Sequence, residues 1–327
     1  MRNVLVTGGT GFIGSSLAIE LLRRGCRVRI LRRPNSDLRA IGDATVEHVV
    51  GDVRDPDSVR RAVQGCDTVF HTAAVISHWR KERELMFETN ILGTRNVVAA
   101  SLEAGVEKFV YTSSVAAVGY KTDGSDADEN TPFNWQPFDI GYRISKYEAE
   151  REVLRYVRLG LPAFIVNPSS VIGPRDIHFH GGRIIRDVYR KRIFYYTDGG
   201  MNFVFVDDVV RGHFAAAEKG RVGERYLLCG ENLTYKQIFA TIANIVGGIP
   251  PLFKLPAFGV KTVAVSVETL ANVLRKRPWA SRELVAAMGV GNKFSSEKAE
   301  RELGYTVTPF NLAVQKTFAW YRQNHLL

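Results

Sequence analysis

The amino-acid sequence predicts an α/β fold, a doubly wound parallel sheet with a smaller, discontinuous lobe assembled from later parts of the chain. Three observations carry that expectation. An apolar run, Val4 to Val6, breaks into Gly8, Gly9, Gly11 and Gly14, and a helical spacing then begins at Ile13, Leu17 and Leu21. Strand-like and helix-like stretches go on alternating through the first half of the chain, the pattern of parallel strands joined by crossover helices. With 327 residues, 45% of them hydrophobic and 24% charged, the chain is long enough for one large α/β domain and a lobe beside it. The large domain is expected over 1–170 and 201–230, and the lobe over 171–200 and 231–327.

Strand, glycine turn and helix in that order suit a bound dinucleotide. Glycine tolerates the tight turn and lets the backbone approach a pyrophosphate, and Gly14 lets the helix sit close on the strand. The helix then turns its unpaired N–H groups and positive dipole end toward the phosphates. The second strand, Val28 to Leu31, ends at Arg32 and Arg33, where NAD-binding units commonly carry an acid for the ribose 2′-OH. A guanidinium there favours a 2′-phosphate, so NADP(H) is expected in preference to NAD(H), with Arg32 the favoured contact. A third strand, Val46 to Val50, runs into Asp52. That carboxylate suits the adenine amino group or, alternatively, a cap on the helix starting near Pro56. A fourth strand, Thr68 to Phe70, leads into His71-Thr-Ala-Ala74, whose small residues, Ala73 among them, leave room for a nicotinamide ribose. His71 reads as a satisfied, partly buried histidine rather than a base.

A helix is expected from about Lys81 to Ala104, with Asn90 bonding backbone or water. Lys108 to Ser114 follows as a fifth strand whose end presents hydroxyls, and Asp123 to Glu129 reads as a solvated excursion. The next helix carries Tyr142-Arg-Ile-Ser-Lys146, which places a phenol and an ammonium one turn apart on one face. An ordinary tyrosine titrates near ~10, too high for a proton carrier at neutrality. A neighbouring ammonium is expected to lower it.

Thr7-Gly-Gly-Thr-Gly-Phe-Ile-Gly14, the Thr-Ser-Ser strand end and Tyr142-x-x-x-Lys146 resemble an extended short-chain dehydrogenase/reductase. Ala163 to Pro174 is similar to that superfamily's sixth strand with its nicotinamide-side loop, and Asn202 to Asp208 to the strand by which the chain returns to the core. Phe294 to Tyr305 resembles the C-terminal signature of the dihydroflavonol-4-reductase-like branch, which also takes in 3β-hydroxysteroid dehydrogenases and hopanoid-associated sugar epimerases. The resemblance implies a Rossmann sheet, Tyr142 as general acid/base, Lys146 tuning it and bonding the ribose, and Ser114 holding the substrate oxygen, with Ser113 the alternative serine. It also implies that Gly8, Gly11, Phe12, Ile13 and Gly14 hold the pyrophosphate, that Asp52 and Val53 flank the adenine, and that Pro168 and Ser170 pack near the nicotinamide. Homodimerisation through the helices near 81–104 and 142–158 follows from the same resemblance.

The expected activity is hydride transfer between NADP(H) and a carbonyl or secondary alcohol of a lipophilic or ring-bearing small molecule. A nucleotide-sugar epimerase or dehydratase holding NAD is one alternative, and a non-catalytic cofactor-sensing protein another. For the epimerase, Arg175, Arg183, Arg186, Arg190 and Arg192 are candidate diphosphate ligands or simply exposed charge. Against it, no arginine precedes Phe203 in Gly199-Gly-Met-Asn-Phe. The net charge of +10 owes much to the arginines between 23 and 33, but no aromatic is interleaved there, so no nucleic-acid partner is expected. Cys26, Cys66 and Cys229 make no metal pattern, and His178 and His180 lack further ligands, so no metal site is expected. No charged n-region, apolar core and cleavage site open the chain, so a cytoplasmic location is expected, without a transmembrane segment. Val260, Val263, Val267, Leu270 and Leu274 form a helical stripe opposite Lys261, Glu268, Asn272 and Arg275. Core packing of the lobe is the favoured reading, with cover for a lipophilic substrate or peripheral membrane contact as alternatives.

Overall fold

The first strand of the computed structural model, β1 (Asn3–Thr7), is buried along almost its whole length and lies at the middle of the sheet. The structure describes residues 1–274, 276–278, 281–286, 290 and 292–327. The chain continues through α1 (Phe12–Arg23), β2 (Arg27–Arg32), β3 (Glu47–Val50), α2 (Pro56–Val63), β4 (Thr68–His71), α3 (Arg83–Phe87), α4 (Gly93–Glu103) and β5 (Lys108–Thr112). Next come α5 (Gly141–Val157), β6 (Ala163–Pro168), β7 (Ser170–Ile172), α6 (Arg183–Tyr189), β8 (Tyr195–Tyr196), β9 (Gly200–Phe205), α7 (Val206–Lys219) and β10 (Arg225–Leu228). The last part holds β11 (Glu231–Thr234), α8 (Tyr235–Val246), β12 (Phe253–Lys254), α9 (Ala257–Val273), α10 (Arg282–Ala286), α11 (Glu297–Leu303) and α12 (Phe310–Gln323).

A seven-stranded sheet runs β10-β6-β5-β4-β1-β2-β3, every pair parallel. Strand order reverses between β1 and β4, so the crevice that opens at their carboxyl ends is where this architecture takes a ligand. Helices cover both faces, as parallel sheets require. Leu17, Ala18 and Leu21 of α1 bury one face with Val209, Phe214 and Ala217 of α7. Val97 and Val98 of α4, Ala149 and Val153 of α5 and Val59 of α2 bury the other. Each such large side chain contributes roughly 1.5–3 kcal/mol by leaving water. A third core, around Ile185, Phe205, Ile238, Ile242 and Val314, belongs to the lobe.

The structure departs from the sequence reading at several elements. The helix expected over 81–104 comes in pieces: a 3₁₀ turn Arg80–Glu82, then α3, a π-helical segment Glu88–Leu92, and α4. Asn90 sits in the widened turn, exchanging bonds with the backbone of Val75 (2.8 and 2.9 Å) and donating to Ser145 Oγ (3.0 Å). The segment over 202–208 returns to the core as expected, Val204 joining the cluster that holds Val4 and Val6, but it does so outside the large sheet. It forms β9 between β7 and β11 and passes into α7 at Val206, while β10 supplies the seventh strand. Nor is the acidic segment 123–129 a free excursion, since Ala127 bridges to Phe294 and Glu129 accepts from Leu227 N–H at 2.8 Å. Ala299, Leu303 and Tyr305, from the C-terminal signature, pack into the core beneath α1 and α7.

The stripe over 260–274 does not pack as core. Helix α9 forms as expected, but Val263, Leu270 and Leu274 face outward, and Ala264, Glu268 and Ala271 face in. Arg275, on the expected polar side, lies outside the described residues. Among the described residues no helix is long and apolar enough to cross a membrane, and no group of His, Cys, Asp or Glu could hold a metal ion.

Candidate active site

Register brings the predicted residues to one edge. Thr7 pairs with Leu31 on one side and His71 on the other, His71 pairs with Tyr111, and Thr112 with Val166. The segments that follow these strands carry Gly8 to Gly14, Ala73, Ser113 and Ser114, and Pro168, so all of them emerge along the same carboxyl margin.

The glycine turn has no room for side chains. Gly8 adopts φ +69°, and a Cβ there would lie 2.8 Å from Ala73 Cα; a Cβ on Gly14 would lie 2.2 Å from the carbonyl oxygen of Gly8. Gly11 caps α1 with no side-chain bond to the first-turn N–H groups, and no acid sits in that turn. Those donors, at Phe12, Ile13 and Gly14, are therefore left for an anion. Backbone cradle, positive helix end and absent side chains fit a dinucleotide pyrophosphate.

Beyond β2 the two arginines differ in their bonding. Arg32 Nε donates to His48 Nδ1 at 2.9 Å, and its Nη1 reaches the carbonyls of Arg33 and Pro34 at 3.3 Å. Arg33 is exposed and, among the described residues, makes no such bond, while its charge helps hold the Asp52 carboxyl down. Burial alone would raise Asp52, but two bonds from the Arg54 guanidinium, at 3.1 and 3.0 Å, outweigh it and keep the carboxylate ionised. Val53 packs against Gly93, which explains the glycine that opens α4.

Helix α5 presents the reactive pair. Its buried positions, Ser145, Lys146, Ala149, Glu150 and Val153, follow helical spacing. No residue of its own caps its start; instead Glu283 of α10 accepts from Gly141 N–H at 3.1 Å, tying α10 to α5. Lys146 is buried, and its Nζ donates to Tyr111 Oη and to Thr112 O, both at 2.8 Å. Burial pushes its pKa down to about 7, opposed by the Glu150 carboxylate one turn further along. The Ser114 hydroxyl lies close enough to the Tyr142 phenol to act on its pKa. The phenol is raised by burial, with the Ser114 hydroxyl and the Arg143 charge working against that rise.

This reverses one expectation. In the chain by itself Lys146 does not depress the phenol, because its bonds go to Tyr111 and Thr112 and because the enclosure that desolvates the ammonium desolvates the phenol too. The two serines also separate. Ser114 meets Tyr142 and accepts from Ala116 N–H at 3.1 Å, whereas Ser113 Oγ is buried without a partner. His71 is fully bonded, between Thr7 Oγ1 (2.6 Å) and Thr94 Oγ1 (3.0 Å), and burial pushes its pKa down to about 3. Pro168 closes β6 and Ser170 opens β7, one residue apart.

Several residues of the site carried no clear signal in the sequence. Glu150 pairs with Arg225 at 3.1 Å and accepts from Asn167 Nδ2 at 2.5 Å, and the same Asn167 amide reaches the Ser114 carbonyl at 2.9 Å. The four-residue step from Lys146 to Glu150 was the available hint. The His78 ring stands edge-on to Tyr142 at 6.2 Å and leaves its Nδ1 unpartnered. Arg143 lies 3.7 Å over the Trp135 ring, donates to Asn292 Oδ1 at 3.0 Å, and leaves Nη1 buried and unpartnered. Of the lobe arginines, Arg183, Arg186 and Arg192 all turn to Asp187, at 3.3, 3.4 and 4.0 Å.

Residues 4–229 match the model of the NAD dependent epimerase/dehydratase family. A protein of Synechocystis that carries a provisional dihydroflavonol 4-reductase name is 37% identical over 98% of this chain and 94% of its own length. Sterol demethylase protein B of Methylococcus capsulatus is 33% identical over 99% of each chain, and the 3-beta-hydroxysteroid dehydrogenase of Mycolicibacterium neoaurum 31% over 93% and 87%. The crystal structure of gox2253 superposes with a TM-score of 0.88 at 43% identity, covering both chains completely. The UDP-glucose 4-epimerase of Thermus thermophilus, solved with NAD, gives 0.77 at 26% identity over 98% and 99%.

Proposed function

The chain belongs to the NAD dependent epimerase/dehydratase family, and on that premise we propose that it is an NADP(H)-dependent oxidoreductase interconverting a carbonyl and a secondary alcohol on a lipophilic or ring-bearing small molecule. The observation that carries the reading is the buried Lys146, fixed on Tyr111 and Thr112 one turn from a phenol that meets Ser114. The nicotinamide cofactor supplies hydride exchange when bound. Gly8, Gly11 and the first turn of α1 would hold its pyrophosphate, Arg33 its 2′-phosphate, Asp52 and Val53 its adenine, and Ala73, Pro168, Ser170 and Lys146 its nicotinamide half.

The chain's own part is proton handling. A phenol raised by burial is protonated at neutral pH and ready to give its proton to a carbonyl oxygen as that oxygen becomes negative. Ser114 donates to the same oxygen, stabilising the developing charge. In oxidation the steps reverse, with Tyr142 taking the alcohol's proton. Arg143 Nη1 and His78 Nδ1 are left to meet further oxygens of the substrate.

Three relatives named for a dihydroflavonol, a sterol and a hydroxysteroid support a ring-bearing substrate. The commitment of Arg183, Arg186 and Arg192 to Asp187 speaks against a nucleotide diphosphate. A homodimer through the outer faces of α4 and α5 belongs to the same reading. The test is to titrate the purified chain with NADPH and NADH, then follow nicotinamide absorbance with a panel of carbonyl compounds. Tighter binding of NADPH and its net consumption are expected. Tightly held NAD without net turnover would favour the epimerase, and binding with no chemistry on any substrate a cofactor-sensing protein.

A further inference from the structure

Helix α9 is amphipathic the wrong way round. Its inward residues are Ala264, Ala271 and the buried carboxylate Glu268, which accepts from Arg282 N–H at 2.9 Å. Its outward residues are Phe258 (82% exposed), Val263 (50%), Leu270 (59%) and Val273 (75%), with Leu274 (57%) continuing the face past the last turn. At 3.6 residues per turn these fall within an arc of about 160° that contains no charged side chain. Thr262 and Thr269, in the same arc, donate their hydroxyls back to the carbonyls of Phe258 (3.0 Å) and Val265 (2.8 Å), which leaves the exposed Ser266 as the remaining polar side chain on it. Leu252 and Phe253, immediately before the helix, are exposed too. A contiguous uncharged surface of this kind marks an interaction site rather than a solvated face.

What surrounds the arc is basic. Between 250 and 286 the only acids are Glu268 and Glu283, both buried, while Lys254, Lys261, Lys276, Arg277 and Arg282 are exposed; Lys254 pairs with Asp198 at 2.7 Å, Arg277 with Glu82 and Arg282 with Glu268 at 3.6 Å, which leaves Lys261 and Lys276 without an ion pair among the described residues. A second copy of the chain is a poor occupant. A two-fold contact sets the same patch against itself, which would bring like-charged rims together with no exposed acid from this segment to pair them. An apolar arc rimmed by cations is the pattern of a helix lying in a membrane interface.

We propose that the outward face of α9, with Leu252 and Phe253, docks the protein on an anionic bilayer surface. The helix lies flat, apolar side chains among the acyl chains and lysines at the headgroups. It also borders the active site: Asn272 accepts from Trp79 Nε1 at 3.0 Å, Arg277 pairs with Glu82 at 3.3 Å, and Trp79 follows the His78 that stands against Tyr142. Docking thus opens the substrate side toward the membrane, a use that rests on the oxidoreductase reading, although the docking itself does not.

The test is flotation of the full chain with phosphatidylcholine vesicles, with and without phosphatidylglycerol. Wild type is expected to float with the anionic vesicles, more weakly with neutral ones or at high salt, and Leu270→Asp and Val273→Asp each to cut binding at least about tenfold. Both positions are exposed, and unchanged circular dichroism and NADPH binding establish that the variants are folded. Wild type that floats with neither vesicle, variants that float as wild type does, or a solution mass that the two aspartates lower would overturn the proposal, the last by assigning the face to a second copy. A chain that floats yet consumes no NADPH with any carbonyl would leave docking standing and remove the oxidoreductase reading.

Discussion

Lys146→Met tests the site through two readouts that ordinary damage would not move together. The side chain is nearly isosteric, so the change removes the charge and the bonds to Tyr111 and Thr112 while keeping the volume. Burial holds the folded-state pKa at about 7, against an ordinary lysine value of 10.5. From pH 7 upward the unfolded chain therefore binds a proton that the folded chain has released, and wild-type stability rises with pH until the unfolded value is passed. Below the folded value the penalty is complete and no longer varies. Integrated between pH 7 and pH 9, wild type gains about 2 kcal/mol on the variant, the other titrations cancelling in the difference. For a chain of this length that corresponds to a relative change of about 3 °C in thermal midpoint. The assay is denaturant unfolding of both cofactor-free proteins across that range, followed by steady-state turnover. Turnover is expected to fall at least about 100-fold, because the variant cannot make the bonds to the nicotinamide half proposed for Lys146 and misplaced reacting groups cost on that order. A stability difference that stays flat between pH 7 and pH 9 would refute the claim of a desolvated ammonium, whatever the activity did.

Ser114→Ala is expected to lower kcat about 100-fold with NADPH affinity kept, and Ser113→Ala to stay within about twofold, because only Ser114 meets the phenol; equal losses would reopen the choice of serine. Arg33→Ala should weaken NADPH about tenfold or more and leave NADH unchanged, with Arg32→Ala milder since that guanidinium is tied to His48; fluorescence titration of both nucleotides reads this directly. Gly14→Ala should destabilise the chain by about 3 kcal/mol and abolish dinucleotide binding, because its Cβ would meet the Gly8 carbonyl at 2.2 Å, a backbone atom that cannot step aside. A Gly14→Ala protein that melts and binds as wild type does would remove the cradle from the argument.

What was legible in the sequence was what depends on short stretches. Val4 to Val6, the glycines after them and the spacing of Leu17 and Leu21 specify strand, turn and helix within one window, and the sheet builds on that unit. Tyr142 and Lys146 sit on one helix, so four-residue spacing was enough to place them together. Partners distant in the chain were not legible. Glu283 caps α5 from 142 residues away, and Arg225 reaches Glu150 from the far edge strand. The π-helical turn at Asn90 answers to a contact with Val75, which periodicity along 81–104 cannot register. Residue type alone does not distinguish Arg32 from Arg33, whose bonding differs because His48 on the neighbouring strand takes one of them.

The same limit explains why a surplus of positive charge did not identify a ligand. Arg183, Arg186 and Arg192 look in the sequence like a phosphate-binding set, yet folding turns all of them to a single carboxylate, Asp187, which engages their guanidinium groups without cancelling their charge. Along 250–286 the outcome differs. The segment holds fewer basic residues per helix turn and folding buries both of its acids; Lys254, Arg277 and Arg282 find carboxylate partners, while Lys261 and Lys276 stay exposed without an ion pair among the described residues. A polyanion is attracted by the field left after pairing and burial, not by the count of arginines. On that ground α9, where exposed lysines border an uncharged apolar face, is the side proposed here to meet an anionic surface, and the small molecule proposed for the site need carry no diphosphate.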